Sequence, residues 1–416
     1  MKVTIIGGGI IGLSSAWFLH ESGHEVTVID KTDMLGNCSY GNAGYVCPSH
    51  FVPLATPGIV TQGLKWMWNS KSPFYVQPRL DINLIKWGWK FMQVATEQHV
   101  EKVAIPLRDI ALLSQYWYEQ WDQSTLFDFS YEHKGLLEIF KTEKGAEKCK
   151  VLCDKAHQLG LLDTSILSQA QLQALEPQTE IDALGALFFK CDAHLYPNKL
   201  MHQLLEILTQ KGVKLIKEEE VVGFEKKGKK ITAVKTVHRH YPTDEVILSS
   251  GSWSRELAAK LNIDLLLMPG RGYSVTLEDS LYHINYPSVL VEGRVALTPM
   301  DGNKIRFGGT MEITSTKTPP RMNRVQGIVD AVKTVYTQFD IDLPPNEKIW
   351  YGYRPCSADG LPYIGRTKQW DNLVMATGHA MVGLSLGAGR GKVVADIVEG
   401  KALSMDISPF HPNRFD

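Results

Sequence analysis

A chain of 416 residues with 44 basic and 45 acidic side chains has a formal net charge of -1, which gives a nucleic-acid backbone no basic excess to meet. Hydrophobic content of 44% and charged content of 21% fit a globular protein of about two domains, and six cysteines are too few to staple a secreted scaffold of this length. No apolar run approaches ~20 residues, so no membrane-spanning helix is expected. The opening MKVTIIGGGIIG reads as a strand and turn rather than a leader, so the cytoplasm is the expected location.

The β-branched run Lys2–Ile6 predicts a buried strand, Ile10–Glu21 a helix stopped by Gly23, and Glu25–Ile29 a second strand closing on Asp30. That is a βαβ unit within thirty residues. Helical stretches follow at Ile82–Glu97 and Ala104–Trp121. Cys149 and Cys153, a helical turn apart, lack the further ligands of a zinc set, and no metal is expected. Asn198–Gln210 reads as a helix, Gly212–Lys217 as a strand, and 218–239 as a small meander. Glu245–Leu248 is a buried strand. Alternating segments Tyr273–Leu277, Ser288–Val291, Val295–Pro299 and Lys304–Gly308 predict an antiparallel sheet, and Leu373–Ala376 a last buried strand entering a helix at about Met381–Glu399.

Parallel-type strands at both ends and in the middle, with antiparallel ones between, predict an α/β Rossmann-like domain with an α+β insert that is mixed and largely antiparallel. The expected partition assigns 1–80, 145–225, 243–256 and 345–416 to a dinucleotide-binding domain, and 81–144, 226–242 and 257–344 to a substrate domain.

Gly7-Gly8-Gly9-Ile10-Ile11-Gly12 matches G-x-G-x-x-G in the right context, between a strand and a helix. Gly7 permits the turn, Gly9 lets a pyrophosphate approach, and Gly12 lets the helix pack on the strand. Asp30, with Lys31 beside it, stands where a carboxylate receives ribose hydroxyls. This pattern alone does not separate FAD from NAD. The small residues and amides of 37–44, among them Ser39, Asn42, Ala43 and Gly44, suit a loop beneath an extended cofactor. In Gly378-His379-Ala380-Met381-Val382-Gly383-Leu384 a strand enters a helix through small residues, leaving N–H groups for an anion.

Together GGGIIG, SYGNAG, VILSSGSWS, YRPCSADGLPYIG and TGHAMVGLSLGAG resemble the D-amino-acid oxidase superfamily of flavoproteins, and within it the bacterial D-amino-acid dehydrogenase branch, with the glycine-oxidase branch next. The resemblance spans nearly the whole chain and is loose over about 50–190. It implies FAD, and a substrate amine oxidised at the carbon that bears a carboxylate. The implied reaction is hydride transfer from Cα of a D-amino acid to flavin N5, then hydrolysis of the imine to a 2-oxo acid and ammonia, with electrons passed to a quinone or other acceptor. Glycine or a cyclic secondary amine such as D-proline or D-hydroxyproline is the alternative substrate, and a nucleotide-binding protein without chemistry a distant third.

The resemblance puts the substrate-carboxylate arginine at Arg354, where a planar guanidinium can meet both oxygens. The competing reading of Arg354 is a scaffold ion pair. Tyr273 resembles a pocket-lining position, with Tyr353 and Tyr286 as further candidates. His379 is a candidate acid or base, or simply a packing residue of its turn. Val221 and Val222 resemble the strand covering the adenine, and Ser250, Gly251 and Ser252 a third strand end against the cofactor. Cys356 does not fall where covalent relatives attach their flavin, so the FAD is expected to be non-covalent. The loop Tyr45-Val46-Cys47-Pro48-Ser49-His50 is bulkier and differently polar than the family leads one to expect. Lys65-Trp66-Met67-Trp68 and Lys86-Trp87-Gly88-Trp89-Lys90 pair tryptophan with lysine, as peripheral membrane contacts do.

Overall fold

The computed structural model describes residues 1–58 and 72–416. The first βαβ unit falls on the expected residues: strand Lys2–Ile6, helix Ile10–Glu21 and strand Glu25–Ile29. They open a six-stranded sheet in the order Tyr363–Arg366, Leu373–Thr377, Glu245–Leu248, Lys2–Ile6, Glu25–Ile29, Lys214–Ile216. All its neighbours run parallel except the edge strand Tyr363–Arg366. Helix Ile10–Glu21 is buried along Ile10–Leu19, because other helices enclose it against the sheet.

One enclosing helix, Gly387–Glu399, explains the glycines of its first turns. A Cβ on Gly387 would stand 2.5 Å from the Ile10 side chain, one on Gly391 2.5 Å from the Ser14 carbonyl carbon, and one on Gly389 2.6 Å from the Ser114 nitrogen. Three helices meet at van der Waals distance, and only glycine fits between their backbones.

The second sheet has nine strands. Its main path runs Ile349–Ser357, Leu267–Leu277, Ile305–Ile313, Val295–Pro299, Ser288–Leu290, Leu136–Phe140, Gly185–Phe189, Thr164–Ser168, and Phe74–Val76 adds in parallel to Ile305–Ile313. Helix Asn323–Val335 packs on it through Val325, Ile328, Val329 and Val332. The expected partition differs from this pairing in two places. Thr164–Ser168 and Gly185–Phe189, grouped in sequence with the dinucleotide segments, hydrogen-bond into the nine-stranded sheet. The three-stranded meander Val221–Lys227, Lys230–Thr236, His240–Pro242, split at residue 226 by the expected boundary, shares one core with Ile6, Ile29 and Val246 of the first sheet.

Three local differences have simple causes. The helix expected over Ile82–Glu97 stops at Val94, because Thr96 caps a new helix, Glu97–Asp122, by accepting from His99 N–H at 3.2 Å. The helix expected from Met381 starts at Gly387, since Ala380 holds a left-handed φ of 44° and the chain turns before it can coil. The Lys86–Lys90 segment does not present both tryptophans outward. Trp87 is buried, donating to the Cys356 carbonyl at 3.0 Å and stacking on Phe91, while Trp89 is 63% exposed. The Lys65–Trp68 segment lies outside the described residues.

Candidate active site

A cavity of ≈ 1150 Å³ is lined from both sheets. It exceeds the ~300–1,000 Å³ that encloses a drug-sized ligand, so a dinucleotide and a small substrate fit together. One end is built from the carboxyl ends of the parallel strands, where open α/β sheets bind ligands. Gly7 has φ 116°, and a Cβ there would meet the Ser249 carbonyl oxygen at 2.5 Å; one on Gly12 would fall 1.9 Å from the Gly7 carbonyl oxygen. Ile10 N–H donates to Ser39 Oγ at 3.0 Å, so the loop at 37–44 is tied to the helix start. Gly9 and Ile11 line the cavity, and their N–H groups meet no protein acceptor among the described residues. Such donors at a helix N-terminus are a phosphate cradle.

Asp30 lines the same end, accepting from Gly8 N–H at 2.7 Å and from Thr32 N–H and Oγ at 2.8 and 2.7 Å. Those bonds fix its carboxylate at the mouth. Lys31 also borders the cavity, with its ammonium 3.9 Å from the centre of the Trp253 ring. Val221, Val222, Ser250, Gly251 and Ser252 complete this end.

The other end is set by strand Ile349–Ser357, which pairs with Leu267–Leu277 so that Arg354 stands opposite Gly270 and Gly352 opposite Gly272. A Cβ on Gly272 would lie 2.2 Å from the Arg354 guanidinium carbon, so glycine there makes the room for it. Arg354 Nη1 donates to the Thr310 carbonyl at 2.6 Å, and Thr310 holds that carbonyl with a left-handed φ of 64°. The guanidinium lines the cavity and has no carboxylate partner among the described residues; burial lowers its pKa. The scaffold-ion-pair reading of Arg354 finds no acid to support it.

The neighbouring arginine is the scaffold one. Arg271 and Glu312 are both fully buried, with Nε and Nη2 donating to Oε2 at 3.0 and 2.9 Å. Tyr273 belongs to this network: its ring lines the cavity, while its hydroxyl donates to Glu312 at 3.2 Å and accepts from Arg321 N–H at 2.8 Å. Tyr353 lines the cavity too, but Tyr286 packs edge-on against Phe188 in the second core and does not.

The C-terminal turn closes the site. Gly378, φ 81°, packs on the Tyr363 ring behind it, as Gly44 packs on the Leu195 carbonyl; neither lines the cavity. His379, Met381, Val382, Gly383 and Leu384 do. Met381, Gly383 and Leu384 N–H groups have no protein acceptor among the described residues, a second set of open donors. Asn42 bridges the two ends of the chain, donating to the Met381 carbonyl at 3.3 Å and accepting from Gly44 N–H at 2.9 Å. The Ala43 carbonyl accepts from Thr298 Oγ at 2.7 Å. Burial, then the positive Arg390, holds His379 well below the ordinary histidine pKa, and its Nε2 has no partner among the described residues.

Sequence reasoning missed Arg306. This buried side chain lines the cavity and donates Nη1 to the Tyr40 and Asn42 carbonyls at 2.7 and 2.8 Å, clamping the loop from the opposite sheet. It also missed Trp350, whose ring would touch a Cβ on Gly41 at 2.0 Å, and Met311 in the cavity lining. No local motif marks any of them.

Comparison with known proteins agrees with this geometry. The family described as "FAD dependent oxidoreductase" (DAO) matches residues 2–397. The D-amino acid dehydrogenase of Neisseria meningitidis serogroup C is 30% identical over 406 residues, 96% of either chain, and that of Helicobacter pylori is 29% identical over 96% of this chain and 95% of its own. Among solved structures, glycine oxidase from Geobacillus kaustophilus superposes with a TM-score of 0.79 at 21% identity, covering 100% of this chain and 99% of that one. L-proline dehydrogenase from P. horikoshii gives 0.73 at 18% identity, covering 100% and 97%. The two sets of open N–H donors, the glycine loop and a cavity of dinucleotide size are what the cofactor of such a family requires. The chain belongs to the DAO family of FAD-dependent oxidoreductases.

Proposed function

We propose that this chain oxidatively deaminates a D-amino acid, with the substrate carboxylate held by Arg354. The observation that carries the proposal is a guanidinium lining the cavity with one donor spent on Thr310 and no acid to pair with among the described residues. A carboxylate meeting its remaining donors fixes the substrate's orientation by two parallel bonds. Tyr273, Tyr351, Tyr353 and Met311 line the same part of the cavity and exclude water around the reacting carbon. The residues at Gly7–Asp30 and Met381–Leu384 would hold FAD non-covalently, and bound there it would supply the hydride acceptor for oxidation of the substrate at Cα, giving a 2-oxo acid and ammonia after hydrolysis. Gly9 and Ile11 N–H groups receive the pyrophosphate, Asp30 the ribose, and Val221 and Val222 the adenine. The open donors at Met381–Leu384 face negative charge that develops during oxidation. His379, kept neutral by burial, serves packing rather than proton transfer.

The six-stranded sheet with its meander is the cofactor half and the nine-stranded sheet the substrate half. Ile82, Ile85, Trp89 and Met92 leave an exposed apolar stripe on one helix, with Lys86 and Lys90 alongside. That stripe supports peripheral contact with an anionic bilayer and delivery of electrons to a quinone. Among the described residues no helix is long and apolar enough to cross a membrane.

The deciding experiment is anaerobic. Purified flavoprotein is mixed with a panel of D- and L-amino acids, glycine, D-proline and D-hydroxyproline, and flavin bleaching is followed. Fast bleaching by D-amino acids supports the proposal, fastest bleaching by glycine or a cyclic amine replaces the substrate, and bleaching by none removes the activity. Dye reduction without hydrogen peroxide identifies a dehydrogenase. Flotation with phosphatidylglycerol vesicles, lost on Trp89→Ser, tests the membrane contact.

A further inference from the structure

The proposed chemistry leaves one part of the cavity wall unused: the loop Tyr45–His50, whose bulk and polarity set it apart in the sequence. Its strand Tyr45–Val46 pairs antiparallel with Ala193–His194. That pairing lays Cys47 and His50 against the turn at Cys191–Asp192. Cys47 Sγ, a ring nitrogen of His50 and a carboxylate oxygen of Asp192 all lie within 4.8 Å of one another. Cys47 and Asp192 are buried, and His50 is half-buried where it lines the cavity.

Charge makes this more than a polar corner. Asp192 accepts from Ser49 N–H at 3.1 Å, Ser49 Oγ at 2.5 Å and Cys191 Sγ at 3.5 Å, and no lysine or arginine pairs with it among the described residues. Glu138, half-buried nearby, adds a second acid whose charge bears on both Asp192 and Cys47. A buried carboxylate without counter-charge is costly and is relieved by a proton or by a cation.

We propose that Cys47, His50 and Asp192 bind a divalent transition-metal ion, zinc by preference, as a clamp in the wall of the substrate cavity. One sulfur, one imidazole nitrogen and one carboxylate oxygen form a borderline-soft set that suits zinc better than magnesium or calcium. Bonds of about 2.0–2.3 Å in tetrahedral geometry space ligand atoms roughly 3.5 Å apart, so these three close by about 1 Å. Binding displaces the Cys47 thiol proton to solvent, and thiolate plus carboxylate then balance the double positive charge. Water takes the fourth place. The clamp joins the cofactor-loop strand to the substrate sheet. Through Cys47 N–H, which donates to Ser385 Oγ at 2.9 Å, it also stiffens the C-terminal turn. It requires no step of the deamination and stands whatever the substrate proves to be.

Metal content of the full-length flavoprotein, as purified and after zinc chloride loading and desalting, tests the clamp directly. One equivalent of zinc per chain is expected, with retention about 10- to 100-fold weaker in Cys47→Ser, Asp192→Asn and His50→Ala and unchanged in Cys149→Ser. Cobalt loading should give visible bands to the red of flavin absorption in the wild type and not in Cys47→Ser. His50→Ala, at the cavity wall, is the variant that keeps the test independent of folding, with flavin content as the check. Zinc bound no better by the wild type than by His50→Ala, or no zinc bound after loading, overturns the proposal.

Discussion

Arg271 and Arg354 sit on paired strands one register step apart, Arg271 facing Tyr353 and Gly270 facing Arg354, yet they do opposite work. Arg271 is closed off by Glu312, which also lies 3.3 Å from Arg321 and 3.9 Å from Arg324. Arg354 is given space by Gly272, one backbone carbonyl to steady it, and an open face on the cavity. An arginine whose carboxylate is built into the protein is scaffold, whereas one with no carboxylate among the described residues is free for the role proposed above. Arg354 lines the cavity and Arg271 does not, and the balance of charge around each follows that difference.

Breaking the closed arginine should produce the largest effect. Glu312→Ala leaves three guanidinium groups without their shared acid and should cost about 3–5 kcal/mol of stability, read as a large drop in thermal or urea midpoint. A variant of near-normal stability would mean the network is not load-sharing as described. Arg354→Ala should instead spare stability and lose about 2–5 kcal/mol of transition-state binding, roughly 30- to 5,000-fold in kcat/KM on D-amino acids. Arg354→Lys should recover little, because a point charge cannot replace a fork. Normal kcat/KM in Arg354→Ala would remove the open arginine from the site.

Glu176 sharpens the contrast from the acid side, since it is buried with N–H groups instead of an arginine. It accepts from Asn285 N–H at 2.7 Å and Tyr286 N–H at 2.8 Å, but burial outweighs them and raises its pKa from 4.5 to about 7. Between those values the folded chain keeps a proton that the unfolded chain releases, so this group's contribution to stability falls as pH rises from 4.5 to 7. The loss is on the order of 3 kcal/mol. Unfolding curves across that range should slope less in Glu176→Gln than in the wild type, and parallel slopes would contradict it. The smallest effect is expected at Arg306, satisfied by backbone carbonyls. Arg306→Lys should weaken FAD retention by about 1–2 kcal/mol, near tenfold in Kd, measured by flavin release on dilution. Unchanged retention would show that the loop holds itself.

These differences follow what is legible in a sequence. Strand Lys2–Ile6, helix Ile10–Glu21, strand Glu25–Ile29 and the glycine loop between them are readable because their partners lie within thirty residues. The placement of Arg354 on a segment joining the two sheets was open to motif reasoning. Its pairing state was not, because that depends on which acids other strands bring. The pairing of Thr164–Ser168 and Gly185–Phe189 into the nine-stranded sheet is hidden for the same reason: strand pairing is set by partners far along the chain. Tyr273 borders the cavity, and the destination of its hydroxyl is decided by Glu312, 39 residues away.

The hydrogen bond from Asn42 to the Met381 carbonyl spans 339 positions and has a consequence for the timing of synthesis. The helix Gly387–Glu399 covers Ile10, and Leu373–Thr377 completes the sheet beside Glu245–Leu248. A ribosome adding about 5–20 residues per second needs roughly 20–80 s to supply those parts after the first strand emerges. Throughout that interval the nascent dinucleotide loop has its glycines but not the neighbouring helix Gly387–Glu399 or the strand that carries Arg354. The full cofactor wall is therefore assembled only once the segments Leu373–Thr377 and Gly387–Glu399 have been made.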